Sequence, residues 1–197
     1  MPVPLQAMTD LRCEKIAPFV AAMGEPLFRA GQLHQWLYRH LAWNYAEMTN
    51  LPLAFRQRLE QETRLHTLQV VDRTGADDGT VKVLFECFDG NTVEAALMYY
   101  GGDGEKERRT VCVSTQAGCS VGCPFCATGR QGLQRNLTPG EIVDQVLYFA
   151  RFLREDGKKG EEVETLGTLA FPNADMAGSS PAMSAERSLP RLALPRR

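Results

Sequence analysis

No apolar run in the 197 residues approaches the ~20 that a membrane-spanning helix needs. The opening stretch, Met1 to Met8, has neither a basic segment nor a long apolar core, so no secretory signal is read there. A cytoplasmic protein without a membrane partner, monomeric in its simplest form, is therefore expected. Excess charge is also missing: 22 basic against 24 acidic residues leave −2, which removes any global electrostatic argument for a nucleic-acid partner and makes RNA contact a local matter. Histidine is scarce, and His34, His40 and His66 all lie far upstream of the main cysteine cluster. No cysteine follows Cys126.

What is present is the composition of a soluble globular chain, 44% apolar and 23% charged, so disordered and collagenous classes recede. The average conceals two parts. Residues 166–197 hold four arginines against Asp175 and Glu186, so the rest of the chain is the more acidic. Four of the six cysteines fall between Cys112 and Cys126, a clustering that points to metal ligation rather than to disulfides. Cys13 and Cys87 are isolated and read as buried structural thiols.

Helical spacing of Leu11, Ile16, Phe19, Val20 and Met23, then of Leu33, Trp36, Leu37 and Leu41, predicts two helices, with a third over Leu53 to Thr63. Pro26 and Pro52 punctuate them. From Thr67 the pattern shifts to β-rich runs at 68–71, 81–85 and 92–100, separated by Gly/Asp turns, which predicts an antiparallel meander. A polar glycine-rich connection over 101–109 marks a domain boundary.

Beyond it, residues 110–114 have strand composition, and a helix follows the cysteines. Thr138 is its N-cap, Pro139 its first position, Glu141 the far side of a capping box, and Ile142, Val143, Val146, Leu147, Ala150 and Leu153 one apolar face. Strand, loop and helix in that order suggest the opening βα unit of a parallel α/β domain, with a second strand over 162–171. The stretch beyond, with four of the eleven prolines, reads as disordered.

Cys119, Cys123 and Cys126 are spaced C-x3-C-x2-C, with Phe125 immediately before the third. Three thiolates on one short loop can hold three irons of a 4Fe-4S cluster and leave the fourth open to a cofactor or substrate. The competing reading is structural zinc with Cys112 as fourth ligand, although zinc sites usually pair ligands from two separate loops. Arg108, Arg109, Arg130 and Arg135 are candidate phosphate contacts, but four arginines do not make an RNA patch.

The string from Cys112-Val113-Ser114-Thr115-Gln116-Ala117-Gly118-Cys119 through Cys126-Ala127-Thr128-Gly129, continuing to Asn136-Leu137-Thr138 and 141–148, resembles the RlmN/Cfr family of radical S-adenosylmethionine (SAM) ribosomal RNA adenine methyltransferases. Gly24-Glu25-Pro26, Phe28-Arg29-Ala30 and Met48 to Pro52 are similar to that family's N-terminal helical module. The resemblance implies an α/β chain: a small helical module (1–66), a β meander (67–105) and the first βα units of an incomplete, partial TIM-type radical SAM barrel (106–165). Residues 166–197 would form a tail foreign to the family.

It further implies Cys119, Cys123 and Cys126 as ligands of a 4Fe-4S cluster that also binds S-adenosyl-L-methionine, Cys112 as the thiol that resolves a protein–RNA adduct, and Glu94 as proton acceptor. The implied reaction passes a methyl group through a methyl-cysteine to C2 of an adenine in 23S rRNA, and in tRNA as a further substrate, with C8 left open. Met23-Gly24-Glu25-Pro26 mimics a SAM-binding Gly-Glu motif, but it precedes the cluster and reads as a helix boundary. The family's Gly-Met-Gly-Glu-Pro segment is not found at 169–175, and no later cysteine exists to carry the methyl group. These gaps suggest a reading frame shifted or truncated near residue 165 and a chain that does not methylate RNA. The alternative is a non-catalytic iron–sulfur- or zinc-binding, RNA-interacting fragment.

Overall fold

The computed structural model describes residues 5–101 and 108–157. The strand expected over 162–171 and the tail lie outside the described residues, as does most of the 101–109 connection.

A two-residue strand β1 (Gln6–Ala7) leads into α1 (Cys13–Ala22), α2 (Phe28–Tyr38), α3 (Leu53–Glu62) and β2 (Thr63–Arg64). The three helices fall where their apolar spacing places them. Leu33, Leu37, Phe55 and Leu59 are buried together with Ile16, Val20 and Met48 in one core. β1 pairs in parallel with β2, so the two ends of this helical segment are tied together. At the end of α1, Gly24 N–H donates to the Ala21 carbonyl at 2.9 Å and Glu25 N–H to the Val20 carbonyl at 3.2 Å. This double return bond is a helix stop, in keeping with the boundary reading of Gly24-Glu25-Pro26.

β3 (Leu68–Gly75), β4 (Val81–Cys87) and β5 (Thr92–Tyr100) form the expected antiparallel meander. The next strand, β6 (Arg108–Cys112), pairs antiparallel with β5 and completes a four-stranded sheet in the order β3-β4-β5-β6. The strand read as opening a parallel βα unit is thus, within the described residues, the edge of the meander. It also ends at Cys112 and not at Ser114, because the chain turns there into β7 (Gln116–Gly118). β7 pairs with β8 (Leu133–Asn136), and the short helix α4 (Ala127–Arg130) lies between them.

The long helix α5 (Pro139–Gly157) packs against one face of the sheet, where Phe149 joins Val83, Phe85, Val93, Ala95 and Leu97 in a second core. Its N-terminus has the predicted reciprocal box: Thr138 N–H donates to Glu141 Oε2 at 2.8 Å, and Glu141 N–H to Thr138 Oγ1 at 3.2 Å. The buried face differs from the one the apolar pattern predicts. Glu141, Asp144 and Gln145 are fully buried, whereas Val146 and Ala150 are only half-buried. Cys13 likewise departs from expectation: it is exposed at the start of α1, and only Cys87 of the two isolated thiols is buried.

Buried polar groups persist only with partners, and each of the three has them. Asp144 accepts from Thr9 Oγ1 at 3.0 Å, Thr67 N at 2.5 Å and Thr67 Oγ1 at 2.5 Å, and pairs with His66 Nδ1 at 2.7 Å. The other His66 nitrogen faces the Ala42 carbonyl at 3.1 Å, and the ring stacks on Trp43. Asp10 receives Gly140 N–H at 2.9 Å, so a residue of the N-terminal segment helps to cap α5. The helical core, the start of the meander and α5 therefore meet on one carboxylate.

Candidate iron–sulfur loop and the open sheet face

Cys119, Cys123 and Cys126 lie on the loop between β7 and α4, each free and partly exposed. The hairpin β7–β8 fixes where this loop begins and ends. Cys119 N–H donates to the Gly132 carbonyl at 3.2 Å, and Gly118, at φ +75, lies so close to Gly132 that a Cβ there would overlap its carbonyl oxygen. Only glycine satisfies both the left-handed backbone and that approach. Cys126 N–H closes back on the Cys123 carbonyl at 3.1 Å. Val121 is 75% and Phe125 90% exposed, so the loop presents an apolar rim.

The donor set, three unpaired thiols with no competing disulfide, suits a 4Fe-4S cluster with three protein ligands. The fold around it suits a tight cradle: a Cβ on Gly129 would meet the Cys123 backbone at 3.0 Å. Among the described residues, however, no three Cys, His, Asp or Glu side chains converge on a common metal position. The loop supplies the ligands without gathering their sulfurs.

Glu94 and Cys112 are brought to one face of the sheet by strand register. Ala96 on β5 lies opposite Cys112 on β6, and Glu94 is two residues from Ala96, so all three point to the side away from α5. Such diagonal neighbours are roughly 7–8 Å apart. Both residues are exposed. Glu94 makes an ion pair with Lys82 at 3.3 Å, a surface contact worth little. Cys112 is thus an exposed strand thiol, unlike the buried Cys87.

The arginines divide. Arg135 is not free for phosphate: its guanidinium holds both Glu141 carboxylate oxygens, at 2.7 and 2.8 Å, and also bonds Asp89. Arg108 lies over the Tyr100 ring at 5.0 Å and Arg109 over Tyr99 at 5.8 Å, on opposite faces of β5–β6. Arg130 is exposed on α4. A cleft of about 240 Å³ lies elsewhere, between Trp43, Glu47, Tyr148 and Arg151, and none of the sequence-predicted site residues lines it.

Two titratable groups beside Arg135 are shifted. Burial, reinforced by the Glu141 carboxylate, pushes the Cys87 thiol up to about 12. The hydrogen bond from Arg135 holds the Asp89 carboxyl down at about 2, against 3.8 for the free group. A carboxyl lowered by folding contributes stability above its unfolded value and loses it as pH falls through the folded one. The unfolding midpoint in urea is thus expected to drop between about pH 4 and pH 2, and to drop less in Asp89→Asn. Superimposable acid profiles for the two proteins would contradict this.

Sequence reasoning missed Asp144, Gln145, His66 and Thr67. For Asp144 and Gln145 the only signal was their helical spacing after Glu141 of the capping box; nothing local marked His66 and Thr67.

Residues 6–65 match the family model described as the ribosomal RNA large subunit methyltransferase N-terminal domain. The chain is 46% identical over 165 residues to a dual-specificity RNA methyltransferase RlmN of Anaeromyxobacter dehalogenans, covering 82% of this chain and 43% of that protein. It is 44% identical over 147 residues to a probable RlmN of Desulfitobacterium hafniense, covering 75% and 41%. A crystal structure of a radical SAM methyltransferase from Sphaerobacter thermophilus superposes with a TM-score of 0.71 at 46% identity, covering 77% of this chain and 43% of that one. The chain therefore spans about two fifths of the length of the curated relatives it matches, and over that span it is similar to RlmN RNA methyltransferases and to a radical SAM methyltransferase.

Proposed function

We propose that this chain carries the cluster-binding part of an RNA methyltransferase that modifies C2 of an adenine in 23S rRNA, with tRNA as a further substrate. The observation that carries the reading is the common open face shared by Glu94 and Cys112, joined through a short turn to the three-cysteine loop. Cys119, Cys123 and Cys126 are the residues that would hold a 4Fe-4S cluster. Together with S-adenosyl-L-methionine, such a cluster supplies the one-electron chemistry needed because adenine C2 is not nucleophilic.

The remaining work falls to the protein's own groups. An exposed thiol at the end of β6 can approach a base laid on the sheet face, which suits Cys112 to resolve a covalent adduct. Glu94, on the same face, can accept the proton released when C2 regains aromaticity. Its Lys82 partner, on the neighbouring strand, lies 3.3 Å from the Glu94 carboxylate.

A second reading, a non-catalytic iron–sulfur- or zinc-binding fragment that contacts RNA, is favoured by one observation: residues 127–197 include no cysteine able to carry the methyl group. Both readings are tested by anaerobic loading with iron and sulfide followed by incubation with rRNA and methyl-labelled S-adenosylmethionine. The chain by itself is expected to transfer no label, while a version supplying the missing cysteine-bearing segment labels adenine C2 and loses that activity in Cys112→Ala. Label at C2 from the chain alone would contradict the first expectation. Absence of labelling from the completed version would contradict the methyltransferase reading.

A further inference from the structure

The backbone ladder between β5 and β6 stops at the Ala96–Cys112 pair. One step further, at Ser114, backbone pairing is replaced by side chains. Gln145 on α5 accepts Ser114 N–H on its Oε1 at 2.8 Å and donates from Nε2 to the Ser114 carbonyl at 3.0 Å. A carboxamide carries one acceptor and a donor pair on a short rigid fork, so it can close a two-bond ring on a single residue, as a neighbouring strand would. Its second N–H is taken by the Glu141 carbonyl at 3.0 Å, and the side chain is fully buried. On the other side, Ser114 Oγ donates to the Glu94 carbonyl at 2.7 Å. Ser114 thus ties the residue two places beyond Cys112 to Glu94 on one flank and to α5 on the other.

We propose that Gln145 is a positioning residue: acting through Ser114, it holds the end of β6 so that the Cys112 thiol stays in register beside Glu94. Neither a leucine nor a glutamate can replace it. The first offers no hydrogen bond, and the second puts carboxylate oxygens against two carbonyls. The inference rests on the assignment of Cys112 and Glu94 as the working pair, but its test does not involve RNA.

The test is native-state amide hydrogen exchange of the 197-residue chain, read by mass spectrometry on peptides that span 108–114, with the buried core strand at 81–87 as the report of global unfolding. Gln145→Met preserves length and apolar volume while removing both bonds to Ser114. Two lost hydrogen bonds should ease local opening of the β6 end about tenfold or more, so exchange of the 108–114 amides should quicken by that order while 81–87 stays protected. Ser114→Ala removes only the bond to Glu94 at a partly exposed position and should quicken exchange about two- to fivefold without threatening the fold. Unchanged exchange at 108–114 in both variants, or a rise there only in step with 81–87, would overturn the proposal. A Cys112→Ala enzyme that still completes methyl transfer would instead overturn the assignment of the pair and leave the exchange result standing.

Discussion

Replacing Asp144 by alanine is expected to lower folding stability by about 3–5 kcal/mol, read as a shift of the urea midpoint. The carboxylate is fully buried and takes three hydrogen bonds from Thr9 and Thr67 besides its pair with His66. Truncation strands all of those partners at once, and an unpaired buried donor costs its full desolvation. The partners come from two other places in the chain, Thr9, which lies 135 residues from Asp144, and the adjacent pair His66 and Thr67. The carboxylate should therefore couple the two cores: the helical core and the sheet should unfold together in the wild type and separate into two transitions in Asp144→Ala. A change below about 1 kcal/mol, within the range of an ordinary surface site, would show that this carboxylate does not join the two cores.

Arg135→Met carries the second large effect. Glu141 is fully buried, and its two carboxylate oxygens are held by Arg135, Thr138 N–H and nothing comparable in charge. Burial works against its ionised form, yet the Arg135 hydrogen bonds hold the carboxyl below its usual range. Without the guanidinium a buried carboxylate stands uncompensated, which costs about 3–5 kcal/mol, less whatever water reaches the quarter-exposed Arg135 site. Because β8 bears Arg135 and α5 bears Glu141, the break also loosens the hairpin that frames the cysteine loop. The competing idea, an RNA phosphate contact, predicts the opposite pattern: unchanged stability and an RNA affinity whose salt dependence falls by about one unit of slope.

These two residues show what sequence could and could not reveal. The helices, the three meander strands and the capping box were legible because each is encoded locally, by spacing or by adjacent residues. The cysteine loop was legible for the same reason. The polar face of α5 was not, because amphipathic reasoning equates burial with apolarity. Glu141, Asp144 and Gln145 are buried by partners as remote in sequence as Thr9 and Ser114.

Arg135 had the composition of a phosphate ligand and the environment of a structural ion pair, a distinction that only tertiary contacts make. The shared face of Glu94 and Cys112 needed strand register, which neither residue's neighbours specify. Cys13 misled because a lone cysteine is more often buried, whereas the first turn of α1 faces solvent.

The central claim is that Cys119, Cys123 and Cys126 hold an iron–sulfur cluster. The most direct test is metal and acid-labile sulfide content per chain after anaerobic loading in the presence of iron, sulfide and equimolar zinc, for the wild type and for Cys119→Ser, Cys123→Ser and Cys126→Ser. The account predicts about four irons and four sulfides per chain in the wild type, a sharp loss in each of the three variants, and retention in Cys112→Ser. One zinc per chain with no sulfide, lost equally when Cys112 is replaced, would contradict it.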